Sequence, residues 1–121
     1  KRDVQLVHLQ HPDGKTALER GQVDAWAGLD PLMASAQVQS GAKLLYRNIG
    51  FNSYSVLSVK ESFTQQSPEA IEAVIKADEQ ARKWAKAKPE KMEERLASES
   101  KLPLKGAKLQ LSRTNSDQNI T

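Results

Sequence analysis

The sequence contains no cysteine, few aromatic residues and no long apolar run among its 121 residues. The absence of cysteine excludes disulfide bonds, thiolate metal sites and cysteine nucleophiles. The apolar stretches extend for a few residues only, far short of the roughly 20 residues that a membrane-spanning helix requires. The first residues also lack the basic and apolar pattern of a secretory leader.

The sequence also lacks a strong excess of either charge, because its 18 Lys and Arg residues nearly balance its 15 Asp and Glu residues, for a net charge of +3. Between residues 76 and 101 the two signs alternate without interleaved aromatic rings, which is typical of a solvated helix surface. We therefore predict no nucleic-acid partner. The two histidines, His8 and His11, have no third ligand nearby, so the sequence predicts neither a metal site nor another cofactor.

The first half of the chain alternates short β-type segments with short helical ones. Residues 4–9, 23–28, 42–46 and 53–59 are rich in β-branched and aliphatic residues and are predicted strands. Asp13 is the predicted cap of a helix over residues 15–20 that ends at Gly21, and Asp30 followed by Pro31 predicts a helix that ends near Gly41. Strands that alternate with helices predict an α/β fold with parallel strands.

The second half is predicted to be helical. Ser67 and Pro68 open a long helix whose apolar residues recur at helical spacing, and Pro89 opens a second helix that ends at residues 102–104. Asp78 falls within the apolar stripe of the long helix. Its carboxylate either lies at the wet margin of the stripe or meets a basic partner, because a lone buried carboxylate is costly.

Residues 17–31, ALERGQVDAWAGLDP, resemble a stretch of the periplasmic solute-binding proteins of ABC importers for aliphatic sulfonates, taurine and nitrate. In that family a helix is followed by a G-x-V-D-A turn into a strand and then by a W-D-P-like helix start. Three further stretches follow in the matching order, so the resemblance covers about residues 4–113. These stretches are residues 52–55, residues 67–71, and residues 102–104 with 107–109.

This resemblance implies a hinged, two-lobed type II periplasmic-binding fold, of which the chain is an incomplete portion. Residues 1–50 are similar to the later part of the second lobe, residues 51–60 to the returning crossing strand, and residues 61–121 to the helical part of the first lobe. The chain begins with Lys1 and ends in a polar run, and we expect both ends to be cut. An incomplete lobe leaves sheet edges uncovered, which predicts domain swapping or self-association.

The resemblance also indicates where a solute would bind. Trp26 ends a predicted strand, where open α/β sheets bind their ligands, and its ring either stacks on the solute or supports the core. Gly28 either lets the backbone approach the ligand or forms a tight turn. Asp30 either caps its helix or contacts the solute. The other candidate ligand-binding residues are Asn52, Ser53 and Tyr54, whose small polar groups either bind sulfonate oxygens or form an ordinary turn after Gly50.

The function implied is capture of a small organic anion, an aliphatic sulfonate, in the periplasm and its delivery to an ABC permease in the inner membrane, without catalysis. A secretory leader would then lie upstream of this chain. Two alternatives share the fold. One is an enzyme similar to the thiamine-pyrimidine synthases, which use a lysine-bound cofactor and histidine, and the other is a ligand-sensing domain of a transcription regulator.

Overall fold

The computed structural model describes residues 3–48, 50 and 55–114, and these residues form helices joined by irregular segments. Two compact units are present. The first comprises residues 3–44 and 93–114, and the second lies between residues 45 and 92. The helices are α1 (His11–Glu19), α2 (Leu32–Gln39), α3 (Glu61–Gln66), α4 (Pro68–Ala87), α5 (Pro89–Ser100) and α6 (Leu104–Leu111). None of these described helices is long and apolar enough to cross a membrane.

The predicted strands are absent from residues 3–48, 50 and 55–114, so the parallel sheet of the predicted α/β fold does not form within this part of the chain. Residues 4–9, 23–28, 42–46 and 55–59 have no strand structure. Their side chains include some of the most exposed apolar groups, such as Leu6 at 76% and Leu45 at 83%. A strand exists only when its backbone amides and carbonyls pair with a neighbouring strand, and β propensity alone does not provide that partner.

The core of the first unit is built from small side chains on three helices. Helix α2 packs against both α1 and α6. Its Ala34 is 0% exposed, as is Ala107 of α6, and Ala17 of α1 is also buried. Alanine at these contacts lets helix backbones approach closely, so this core depends on close packing and contains little apolar volume. Leu102, just before α6, adds a larger buried side chain.

Helix α1 begins four residues earlier than predicted. Its first residue is His11, and Pro12 occupies the start of the first turn, where the missing amide hydrogen costs no hydrogen bond. Asp13 therefore lies inside the first turn, and the prediction that it caps the helix is wrong. The predicted end is confirmed, because Gly21 has a φ of 67° and the amide of Gln22 bonds to the carbonyl of Ala17 at 2.9 Å.

Helix α2 ends at Gln39, before Ser40 and Gly41, as the sequence predicts, but it begins at Leu32, so Pro31 occupies the N-cap position that was predicted for Asp30. The amide of Ala34 donates to Oδ1 of Asp30 at 2.9 Å, so this carboxylate caps the first turn. Gly41 has a φ of 69°, and the next amide, that of Ala42, bonds back to the carbonyl of Ala36. The buried residues of α2 are Ala34, Ser35 and Ala36, whereas Leu32 and Met33 are half-buried.

In the second unit the long helix α4 begins at Pro68 as predicted and contacts α3, a short helix that the sequence reading missed. No residue of α4 is buried, and Val74 in its apolar stripe is 52% exposed. The Asp78 side chain is 51% exposed and lies 4.0 Å from Nε of Arg82. It therefore combines the two predicted environments, a wet margin and a basic neighbour.

Helix α5 begins at Pro89 as predicted, and it ends at Ser100, where Lys101 takes a positive φ of 52°. The amide of Leu102 returns to the carbonyl of Ala97 at 3.0 Å. Helix α6 then starts immediately after Pro103 and was not predicted. It supplies the partner surface for α2 in the first unit.

Candidate functional site

The indole of Trp26 lies against the backbone of two glycines. A Cβ atom added at Gly14 would lie 2.5 Å from Nε1 and 2.6 Å from Cδ1 of the indole. One added at Gly28 would lie 2.5 Å from Cζ3 and 2.7 Å from Cζ2. The five-membered ring therefore packs on Gly14 of α1, and the six-membered ring packs on Gly28, where the absence of a side chain makes the space.

This packing gives Trp26 and Gly28 a structural role each, in addition to the solute contact predicted for them. Trp26 is half-buried, and its ring supports the surface of α1 at Gly14. Gly28 is required by the ring itself, a reason that the sequence reading did not consider. Contact of either residue with a solute stays a prediction.

Asp30 combines its cap with an ion pair. Its two carboxylate oxygens each lie 3.5 Å from Nη1 of Arg113, while Oδ1 accepts the Ala34 amide. The side chain of Asp30 is 17% exposed and that of Arg113 is 10% exposed. In a partly desolvated pair the attraction is screened less than at the surface. Asp30 thus accepts a first-turn amide of α2 although Pro31 occupies the N-cap position, and the arginine is an addition to this bond.

Arg113 was missed by the sequence reading. It follows α6, 83 residues away from Asp30 along the chain, and also donates from Nη2 to Oε1 of Gln37. Because the two residues are 83 positions apart in the sequence, no local sequence pattern predicts their pairing. A partial signal was available, because Leu104, Ala107 and Leu111 recur at helical spacing after Pro103 and predict α6.

A second polar cluster joins the C-terminal ends of α1 and α2. Nζ of Lys15 donates to Oε1 of Glu19 at 2.5 Å, and the hydroxyl of Ser40 donates to the same oxygen. These hydrogen bonds, from Lys15 first and then from Ser40, lower the pKa of the Glu19 carboxyl. The cluster connects the two helices at the end of α2 that is opposite Asp30.

The remaining predicted site residues, Asn52, Ser53 and Tyr54, lie outside the described residues. Their role as solute ligands stays a prediction. Among residues 3–48, 50 and 55–114, no three His, Asp or Glu side chains are grouped so that they could hold a metal ion.

The candidate site is therefore the segment from Trp26 to Asp30, with Arg113 and Gln37 beside its end. It offers part of an aromatic ring surface, a carboxylate and a guanidinium group in one unit. Such a set can contact the apolar part of a small solute through the ring and place polar donors next to it.

The sequence of this chain is similar to those of known proteins. The sequence model of the NMT1-like family matches residues 1–98. A Bacillus subtilis (strain 168) protein named "Putative aliphatic sulfonates-binding protein" is 29% identical over 86 residues, which are 69% of this chain and 26% of that protein. An Escherichia coli (strain K12) protein of the same name is 40% identical over 43 residues, which are 36% of this chain and 14% of that protein. No solved structure matches the chain.

The extent of these matches bears on the site. The chain spans about a quarter or less of the length of the relatives that it matches. The family match includes Trp26, Gly28 and Asp30 but stops before Arg113. The segment from Trp26 to Asp30 therefore lies in the part of the chain that matches the family model, and Arg113 lies outside that part.

Proposed function

The chain belongs to the NMT1-like family, and from this premise we propose that it is part of a solute-binding protein that captures a small organic anion, an aliphatic sulfonate. The observation that carries the proposal is the half-buried indole of Trp26, held on Gly14 and Gly28 within the region of the family match. Two relatives named for aliphatic sulfonates support the choice of solute.

An aliphatic sulfonate has two chemically distinct ends, and the proposed site treats them differently. Its alkyl chain would lie on the exposed part of the Trp26 ring, where burial of apolar area stabilises the complex. Its three sulfonate oxygens need hydrogen-bond donors. That Asn52, Ser53 and Tyr54 are such donors is a separate proposal, made from the sequence. The carboxylate of Asp30 would repel the sulfonate unless its charge is compensated.

The intact protein, in this proposal, has two lobes of the type II periplasmic-binding fold, and it is located in the periplasm. Solute binding would favour the closed arrangement of the lobes over the open one. The closed form would then deliver the solute to an ABC permease in the inner membrane. The lobe boundaries near residues 50 and 60 stay a prediction of the sequence.

The protein is proposed to release its solute chemically unchanged, as expected of a binding protein. Incubation of the intact gene product with ethanesulfonate, followed by proton NMR of the solute, should show the starting spectrum only. A new resonance, or a pyridoxal-type absorbance in the purified protein, would instead favour the enzyme related to the thiamine-pyrimidine synthases.

Isothermal titration of the intact gene product tests the binding proposal. We expect saturable heat with ethanesulfonate or taurine, and an affinity about two- to tenfold weaker in W26L, since loss of an aromatic contact costs about 0.5–1.5 kcal/mol. W84L is the matched control, because Trp84 is also half-buried but lies in α4 of the second unit. No heat with any alkanesulfonate would remove the proposal, and equal loss in W26L and W84L would remove Trp26 from the site.

A further inference from the structure

Arg113 is the most buried charged partner in the described ion pairs of the first unit. Its side chain is 10% exposed, compared with 57% for Lys108 in the pair with Glu93. A guanidinium group is rarely placed at this depth without several hydrogen bonds, because removing it from water is costly. Here the two oxygens of Asp30 and the amide oxygen of Gln37 are its acceptors.

These acceptors lie along one side of α2. Asp30 precedes the helix and Gln37 comes seven residues later, which is about two helical turns. Arg113 therefore holds α2 at two points, one of which is the cap that bonds the Ala34 amide. Asp30 in turn ends the segment that starts at Trp26, so the arginine limits the movement of that segment.

The charge of the pair matters as much as its geometry. If the proposed function is right, an anionic solute binds close to the carboxylate of Asp30, and like charges at short range weaken binding. Arg113 places a permanent positive charge 3.5 Å from both oxygens of that carboxylate. The pair is neutral as a whole, which removes the repulsion and keeps the cap.

We infer that Arg113 is a positioning residue of the candidate site: it compensates the charge of Asp30 and holds the segment from Trp26 to Asp30 in place. The effect of Arg113 on the binding of an anionic solute rests on the proposed function. Its effect on Trp26 does not depend on any solute. Arg113 lies outside the family match.

The test compares R113Q with R113K, R113Q/D30N and the control R20Q in the intact gene product. Arg20 is exposed at the end of α1, so R20Q removes the same charge from the first unit at a surface position. Circular dichroism first establishes that each variant is folded. Titration then gives the dissociation constants for ethanesulfonate, an anion, and for taurine, which carries an ammonium group as well as its sulfonate.

R113Q should weaken ethanesulfonate binding by about tenfold or more and taurine binding by less, because the taurine ammonium offsets an uncompensated Asp30. R113K and R113Q/D30N should recover most of the ethanesulfonate affinity, and R20Q should match the parent. General structural damage would weaken both solutes equally. An unchanged ratio of the two dissociation constants in folded R113Q, or no recovery in the double variant, would overturn the inference.

A second measurement separates this inference from the proposed function. The 121-residue chain contains two tryptophans, so in its W84F variant Trp26 is the single one, and its emission maximum and acrylamide quenching report the segment without any solute. R113Q should shift the emission to the red and increase quenching, while R20Q leaves both unchanged. If the parent binds neither solute, the proposed function fails, and the Trp26 emission alone decides the inference: an unchanged spectrum in R113Q overturns it.

Discussion

Replacement of Gly28 by alanine tests the packing of Trp26 directly. The added methyl group would lie 2.5 Å from Cζ3 and 2.7 Å from Cζ2 of the indole, where ordinary contacts are 3.4–4 Å. The indole is rigid, so the whole ring must move by close to an ångström. Since Gly28 has no positive φ, alanine introduces no backbone strain, and the steric conflict with the ring is the whole effect.

The magnitude follows from this steric conflict. Overpacking of this kind costs typically about 1–3 kcal/mol, and we expect G28A to lower the free energy of unfolding by that amount. When Trp26 is replaced by leucine, the conflict disappears and G28A should cost close to zero. The coupling between the two sites, obtained from a double-mutant cycle, should therefore be at least about 1 kcal/mol.

Urea-induced unfolding followed by far-UV circular dichroism measures the four members of the cycle. G106A is the matched control, because a Cβ atom at Gly106 would meet only Leu102 atoms at 3.7–3.9 Å. Gly106 lies within α6, so alanine there should stabilise the helix by up to about 1 kcal/mol. An equal cost for G28A with and without Trp26 would refute the proposed contact between the ring and Gly28.

Three further predictions concern the polar contacts and the exposed segments. D30A should lower the free energy of unfolding by about 2–4 kcal/mol, because it removes both the bond to the Ala34 amide and the ion pair with Arg113. D30N keeps the bond to the amide and should cost about 1 kcal/mol less, and equal losses in urea unfolding would contradict the capping role. The pKa of Glu19 is lowered in the folded protein, so the ionised carboxyl stabilises the fold fully well above pH 4.5, and this stabilisation is lost as the pH falls through the lowered pKa. E19Q should remove this part of the pH dependence of the free energy of unfolding. Parallel curves of stability against pH for E19Q and the parent would contradict this role of Glu19. The isolated 121-residue chain should self-associate, because segments such as residues 4–9 and 44–46 expose large apolar side chains. Light scattering should detect masses above 13.4 kDa, and a single compact species of that mass at all concentrations would exclude self-association.

Local chemistry in the sequence was sufficient to place several helix boundaries. Asp30 caps α2, Gly21 and Gly41 follow α1 and α2 with positive φ, and Pro68 opens α4. Each of these boundaries depends on one residue and its immediate neighbours. Such signals survive whatever the rest of the chain does, because caps and left-handed glycines act within one turn.

The strands and the arginine could not be obtained in the same way. Residues 4–9 have β-type composition, yet a strand needs a partner, and no pairing occurs among the described residues. Arg113 reaches Asp30 across 83 residues, and its role emerges only when α6 packs on α2. The contact between Trp26 and Gly14 is hidden for the same reason. Sequence reading thus located the segment that we propose as the site but missed what supports it.

A crystal structure of the intact gene product grown with ethanesulfonate tests the central claim most directly. We expect the alkyl carbons of the solute in van der Waals contact with the indole of Trp26, with Arg113 still paired to Asp30. A solute bound with no atom near the segment from Trp26 to Asp30 would contradict the site described for this chain.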